Sequence, residues 1–228
     1  MGAGVADAGG VIARDLFAAP EEGGAARYDL GEGAVLLRGF ALAVETDLAR
    51  AVAAVAAAAP FRNMKTPGGF TMSVAMTNCG RLGWVSSEHG YRYAEQDPET
   101  GAPWPAMPAT VSDLARRAAD AAGFARFDPD ACLVNRYEPG ARLTLHQDKN
   151  EHDFREPIVS VSLGVPAVFL FGGLKRKERP LRLTLVHGDV VVWGGPSRLR
   201  YHGVAALKSA QHPFADGARI NLTLRRAG

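Results

Sequence analysis

Asn135-Arg-Tyr-Glu-Pro-Gly-Ala-Arg-Leu-Thr-Leu-His-Gln-Asp148 is the stretch around which the chain is organised. It reads as a strand, a Glu-Pro-Gly turn, and a second strand that ends in His-x-Asp. Side chains two apart on a strand share a face, so Asn135 and Tyr137 point one way together, and His146 and Asp148 do the same further on. An imidazole beside a carboxylate supplies two of the three protein ligands of a facial iron(II) site. The third is expected from a distant histidine delivered by the fold, and His202, in Leu199-Arg-Tyr-His-Gly203, is the candidate. His-x-Asp alone is too common to assign a metal, so the surrounding sequence must carry the reading.

From Cys132 onward the chain consists of short strand-like runs separated by turns: Ile158–Leu163, Ala167–Phe171, Leu181–Val186, Asp189–Trp193 and Arg219–Leu224. Gly172-Gly173 and His187-Gly188 read as two-residue hairpin turns. Many short strands without intervening helices point to a sandwich or jelly-roll barrel. The expected fold is therefore α+β and mostly β, with a double-stranded β-helix (jelly-roll) core over residues 132–228. An extension over 34–131 carries helices and a hairpin lid, packed with the core as one compact domain, and 1–33 forms a loose Gly/Ala-rich arm.

Within the extension, Ala34–Leu37 reads as a short buried strand. Glu45–Ala59 is Ala-rich and helical, with Glu45 and Asp47 placed where the helix dipole favours negative charge, and Pro60 stops it. A second helix is expected from Ser112, as N-cap, to Gly123, as C-terminal stop. Between them, Thr66–Met76, Gly83-Trp84 and Gly90–Tyr93 suggest twisted hairpins with Met72, Val74 and Met76 on one face. The three prolines of Ala102–Pro108 enforce an extended loop. Aromatic residues on such turns serve either as base-stacking platforms or as packing.

Arg219-Ile-Asn-Leu-Thr-Leu-Arg225 is the second informative stretch. Period two puts Arg219, Asn221, Thr223 and Arg225 on one face and Ile220, Leu222 and Leu224 on the other. The polar face is either solvated or an anion cradle inside the barrel, because guanidinium forks match carboxylates bidentately. Together with Asn135/Tyr137 and His146/Asp148, this inventory suits a small dicarboxylic acid chelating iron.

Composition sets the bounds. The chain has 228 residues, 47% of them hydrophobic, which supports a sizeable core. A net charge of +2 leaves any basic surface to local clustering. Cys79 and Cys132 lack metal-like spacing and read as packed thiols in a reducing cytoplasm. Residues 1–14 contain no continuous apolar run, and Ala51–Ala59 is too short to span a membrane, so no membrane association is expected.

Longer runs then add a resemblance: Thr66–Gly80, Pro103–Pro108, Asn135-Arg-Tyr, His146-Gln-Asp-Lys149, Phe171–Arg176, His187–Gly195 and the Arg219–Arg225 strand. Together they resemble the AlkB family of iron(II)/2-oxoglutarate-dependent alkylation-repair dioxygenases, over nearly the whole chain from about Asp15. The resemblance implies that His146, Asp148 and His202 hold Fe(II), and that Asn135, Tyr137, Arg219, Asn221 and Arg225 hold 2-oxoglutarate. Ser160 and Trp193 line that pocket or serve as core. On the substrate side it implies that Trp84 stacks a flipped base against His146, with Tyr91 and Met76 shaping the slot. Thr66, Lys149, Glu151 and Arg176 would touch the damaged nucleotide or its phosphates. The basic run Lys175, Arg176, Lys177 and Arg179 meets a phosphate backbone or is a solvated turn.

The implied reaction uses dioxygen and 2-oxoglutarate to oxidise N-methyl groups of 1-methyladenine and 3-methylcytosine, releasing succinate, carbon dioxide and formaldehyde. The implied partner is alkylated single-stranded DNA, with RNA open as an alternative, and the implied protein is a monomer. One departure stands out: Asn150 follows His146-Gln-Asp-Lys149 where bacterial members carry aspartate. An amide donates as well as accepts, whereas an ionised carboxylate only accepts, so a changed lesion preference is expected if this position faces the base. Rival readings are a related oxygenase acting on a modified RNA base or a protein side chain, a silent nucleic-acid-binding module, and a metal-binding jelly roll without cosubstrate.

Overall fold

In the computed structural model, which describes residues 26–228, the alternating strands assemble into two antiparallel sheets. The strands are β1 (Arg27–Gly31), β2 (Ala34–Leu37), β3 (Ala75–Gly80), β4 (Gly83–Ser87), β5 (Gly90–Ala94), β6 (Ala131–Tyr137), β7 (Leu143–His146), β8 (Ile158–Gly164), β9 (Ala167–Phe171), β10 (Leu181–Leu185), β11 (Val190–Trp193), β12 (His202–Val204) and β13 (Arg219–Arg225). The larger sheet has the order β1-β2-β11-β8-β13-β6-β3, the smaller β10-β9-β12-β7, and β4-β5 form a separate hairpin. This is the jelly roll expected from the spacing of the runs.

The period-two pattern divides the core in two. One face of the large sheet turns Val134, Val159, Val161, Leu163, Leu222 and Leu224 toward the helices α1 (Glu45–Ala58) and α2 (Ala109–Ala121), which contribute Leu48, Val55, Leu114 and Ala118. The other face joins Tyr137, Ile158, Val191 and Trp193 to Phe169, Phe171, Leu183 and Val204 of the small sheet. Each buried aliphatic side chain is worth about 1.5–3 kcal/mol, so both layers contribute to holding the sheets in register. Polar residues that alternate with the helix-facing set on β6, β8 and β13 are thereby buried between the sheets.

Local boundaries follow the chemistry of their residues, with four departures from expectation. α1 ends where Ala59 becomes extended ahead of Pro60, as the steric restriction on a residue preceding proline requires. α2 begins at Ala109, directly after Pro108, rather than at Ser112. Ser112 sits one turn inside, where its hydroxyl donates to the Ala109 carbonyl at 3.1 Å instead of capping. Gly123 closes the helix with φ +93°, as expected of a glycine stop.

His187-Gly188 is not a hairpin turn. It is the corner where the chain leaves the small sheet after β10 and enters the large one at β11. The Gly188 N–H donates to the Ser162 carbonyl at 2.8 Å, which holds the corner against β8. Gly172-Gly173 does not turn β9 into β10 either, because both glycines bond to Tyr201 and run on beside the segment entering β12. Finally, Arg27–Gly31, expected within the loose arm, forms β1 and pairs with β2. The remainder of that arm, 1–25, lies outside the described residues.

Candidate active site

β12 lies between β7 and β9, and its register sets His202 directly opposite His146. The two imidazole centroids are 4.4 Å apart. β7 stops at His146, so Asp148 lies just beyond the strand rather than on it. It is fixed there by Arg225, whose Nε and Nη2 donate to Oδ2 at 3.0 and 2.6 Å, and by Arg198, whose Nη1 donates to the Asp148 carbonyl at 2.8 Å. One ligand atom from each of His146, Asp148 and His202 lies within 4.8 Å of the others.

The tautomers follow from the backbone. Nδ1 of His146 lies 2.8 Å from the Thr144 carbonyl, and Nδ1 of His202 lies 3.1 Å from that of Arg200. A carbonyl only accepts, so each Nδ1 carries the proton and each Nε2 presents its lone pair toward Asp148, at 3.7 and 3.5 Å respectively. Burial pushes His146 down to about 4, so its ring is neutral at physiological pH. Arg225 holds Asp148 well below the usual carboxylate range, against the opposing effect of burial. Two imidazoles and one carboxylate on one side of a cavity fit a facial divalent-iron site.

Beside this triad, β13 turns Arg219, Asn221, Thr223 and Arg225 into the cavity while Ile220, Leu222 and Leu224 go to the helix-facing core. Arg219 is 1% exposed, and its Nη2 donates to Ser162 Oγ at 3.0 Å. Its Nε and Nη1 have no hydrogen-bond partner among the described residues, and neither has Arg225 Nη1. The Asn135 Oδ1 and the Trp193 indole N–H are orphaned in the same way. A buried guanidinium without an anion is costly, and burial accordingly lowers the Arg219 pKa. Cationic donors aimed into a polar cavity beside a metal triad fit a dicarboxylate that chelates the metal at one end.

Neighbours hold these groups in place. Asn221 Nδ2 donates to Ser160 Oγ at 2.8 Å and to the Val161 carbonyl at 2.9 Å, while its Oδ1 accepts from Thr223 at 2.9 Å. The Tyr137 ring stacks under the Arg219 guanidinium at 5.1 Å, and Trp193 meets His202 edge-on at 4.9 Å.

Toward solvent the cavity, about 220 Å³, is bounded by the β4–β5 hairpin. Trp84 and Tyr91 stack at 5.5 Å with their planes 15° apart, and Thr66, Met76 and Asn150 complete the mouth. Asn150 bridges the pair: its Oδ1 accepts from the Trp84 indole N–H at 3.4 Å, and its Nδ2 donates to the Tyr91 carbonyl at 3.5 Å. Trp104, on the proline-rich loop, is core packing and donates its indole N–H to the Ala94 carbonyl at 3.0 Å.

Thus the structure gathers His146, Asp148, His202, Asn135, Tyr137, Ser160, Trp193, Arg219, Asn221, Arg225, Trp84, Tyr91, Met76, Thr66 and Asn150 around one cavity. Lys149 and Arg176 are exposed outside its lining. Glu151, expected on the substrate side, is instead buried: its carboxylate accepts from Tyr93 Oη at 2.6 Å and from Arg198 Nη2 at 3.0 Å. Two buried cations flank this carboxylate, and their attraction outweighs exposure to solvent. Arg198 and Tyr93 had no local sequence signal, because their roles depend on a contact formed only by the fold.

Comparison with known proteins agrees with this geometry. Residues 33–225 match the model of the 2OG-Fe(II) oxygenase superfamily. The chain is 58% identical over 214 residues to the alpha-ketoglutarate-dependent dioxygenase AlkB of Escherichia coli K12, covering 94% of this chain and 98% of that protein. It is 48% identical over 187 residues to an AlkB homolog of Caulobacter vibrioides NA1000, covering 82% and 83%. The solved structure of OsALKBH1 superposes with a TM-score of 0.77 at 30% identity, covering 88% of this chain and all of that one. The chain belongs to the AlkB family of 2OG-Fe(II) oxygenases and is an Fe(II)-dependent dioxygenase with 2-oxoglutarate and dioxygen as cosubstrates.

Proposed function

We propose that this protein is an oxidative demethylase of N-alkylated bases, 1-methyladenine and 3-methylcytosine, in single-stranded nucleic acid. One observation carries the reading: a single cavity leads from the metal triad and unpartnered guanidinium N–H groups out to a stacked indole and phenol at its mouth. A buried metal centre reached through an aromatic slot suits a planar base removed from its stack.

His146, Asp148 and His202 would hold the iron. Arg219 would clamp the distal carboxylate of 2-oxoglutarate through Nε and Nη1, over the Tyr137 ring. Arg225 Nη1, Asn135 and Asn221 would orient the end nearer the metal. When bound, iron and 2-oxoglutarate together activate dioxygen, coupling decarboxylation to hydroxylation of the N-methyl group. Loss of the resulting hydroxymethyl as formaldehyde restores the base.

The chain's own contribution is placement. Trp84 and His146 would sandwich the base, and the indole face adds cation–π attraction for these cationic lesions. Met76 and Thr66 would set the width of the slot, and Tyr91, with Lys149 and Arg176 outside the cavity, would meet the nucleotide or its phosphates. The basic run from Lys175 to Arg179 lies on the exposed loop after β9, which supports a backbone contact. We assign the hairpin lid to an extension over 34–131 and the catalytic core to 132–228, acting as a monomer. The two buried free thiols support a reducing cytoplasm, and no helix among the described residues is long and apolar enough to cross a membrane.

Extrusion from a duplex costs a few kcal/mol that a single strand does not require. Demethylation of one 3-methylcytosine is therefore expected to be faster in a single strand than in the matched duplex. Equal or higher kcat/KM on the duplex would overturn the single-strand assignment.

A further inference from the structure

Glu151 occupies a position that the reaction scheme above leaves without a role. Its side chain is 1% exposed, yet it reaches three parts of the molecule. Oε1 accepts from Tyr93 Oη of the β4–β5 hairpin at 2.6 Å and lies 3.4 Å from Arg225 Nε. Oε2 accepts from Arg198 Nη2 at 3.0 Å. Both arginines also hold Asp148, Arg225 through the carboxylate and Arg198 through the main-chain carbonyl. Two carboxylates and two guanidiniums thus form one buried, charge-balanced cluster with the hairpin's phenol attached to one edge. A cluster of this kind has few ways to rearrange, because moving one member leaves a buried charge unpaired.

We infer that Glu151 is a positioning residue that couples the β4–β5 hairpin to the cosubstrate end of the cavity. Tyr93 and Trp84 are register partners in that hairpin, so a base seated on Trp84 fixes the strand that carries Tyr93. A fixed Tyr93 fixes the Glu151 carboxylate, and with it the Arg225 fork that meets 2-oxoglutarate. The two ligands then bind cooperatively although they share no direct contact through this route. Coupling between sites is reciprocal, so each ligand raises the affinity of the other by the same factor. The inference rests on the dioxygenase reading and names a link within that site.

The test uses the full chain with Fe(II) under anaerobic conditions. 2-Oxoglutarate is titrated by the charge-transfer absorbance of its iron complex, with and without a saturating oligonucleotide carrying one 3-methylcytosine. The labelled oligonucleotide is titrated by anisotropy, with and without 2-oxoglutarate. In the unmodified protein each ligand is expected to tighten the other by about tenfold, within the usual range of allosteric coupling. Tyr93→Phe removes the hydroxyl and keeps the ring, and should reduce that factor to about one. Glu151→Gln should do the same, and combining the two should add nothing, since both cut one link.

A residue that only stabilised the fold would lower the melting temperature while leaving the coupling factor intact. An undiminished factor in Tyr93→Phe overturns the inference, and that variant decides the matter even if Glu151→Gln does not fold. A charge-transfer band that forms with no mutual tightening in the unmodified protein also overturns it, leaving the dioxygenase reading standing. No band at all would remove both.

Discussion

Replacing Arg219 with methionine separates what this residue does for the ligand from what it does for the fold. The guanidinium is 1% exposed, with Nη2 bonded to Ser162 and the Tyr137 ring 5.1 Å away, while Nε and Nη1 face the cavity without partners. If those two donors take a carboxylate, each charge-assisted bond contributes about 1.5–3 kcal/mol, or about 3–6 kcal/mol together. At about 1.4 kcal/mol per decade, Arg219→Met should weaken 2-oxoglutarate by two to four orders of magnitude.

The effect on the ligand-free protein should have the opposite sign. Each of the two buried, unsatisfied donors costs about 1–3 kcal/mol, whereas the lost Ser162 bond and the lost cation–π contact with Tyr137 are worth about 1 kcal/mol each. Methionine fills a similar volume without charge, so the ligand-free variant should melt at or a few degrees above the unmodified protein, at about 2–4 °C per kcal/mol for a chain of this size. Anaerobic titration of the charge-transfer band measures the first quantity, and scanning fluorimetry in chelator measures the second. Affinity within threefold of the unmodified protein would refute the assignment of Arg219. A ligand-free melting point lowered by more than about 5 °C would refute the claim that its charge is carried for the ligand rather than for the fold.

Other consequences can be checked separately. Asn150→Asp removes the donor to the Tyr91 carbonyl and adds a negative charge at the mouth. Relative turnover of 1-methyladenine should rise over 3-methylcytosine, and an unchanged ratio in a competition assay read by mass spectrometry would end that idea. A Cβ at Gly83 would collide with the Trp104 indole, which is held by its bond to Ala94. Gly83→Ala should therefore cost about 1–3 kcal/mol by overpacking, visible as a lower denaturation midpoint, and no change would mean the hairpin base is looser than drawn. Burial beside His187 lowers the His212 pKa from 6.5, so below that pH the unfolded chain binds the proton first. Its stability contribution is complete above about pH 6.5 and is lost as pH falls toward the lower folded value. His212→Gln should flatten the melting-temperature profile across that window, and an unaltered slope would count against it.

What the sequence made legible was whatever alternation controls. Period two groups Asn135 with Tyr137 on β6 and Arg219 with Asn221 and Arg225 on β13, and the pairing of those strands brings the two groups onto one face. A facial triad needs a third ligand, so a distant histidine was expected, but the choice of His202 rests on the resemblance, because its pairing with His146 is made only by the fold. Contacts made across the fold were not legible. Nothing near Glu151 announces that Arg198 and Tyr93 will enclose it, so the substrate-side role implied by the resemblance went unopposed. His187-Gly188 carries the residues of a tight turn, but whether a turn stays in its sheet depends on which strand accepts the next one. Ser112 is a good capping residue by chemistry, yet Pro108 had already set where α2 begins. β1 contributes one buried apolar residue, Leu30, too little pattern to separate an edge strand from a loose arm.

The measurement that bears most directly on the central claim is anaerobic reconstitution with Fe(II) and 2-oxoglutarate, followed by air, on a short oligonucleotide carrying one 3-methylcytosine. Mass spectrometry should show the methyl group lost, with formaldehyde and succinate formed in step, and the whole signal should vanish in His146→Ala. Succinate released while the methylated base stays intact, on this substrate and on 1-methyladenine, would contradict the demethylase assignment.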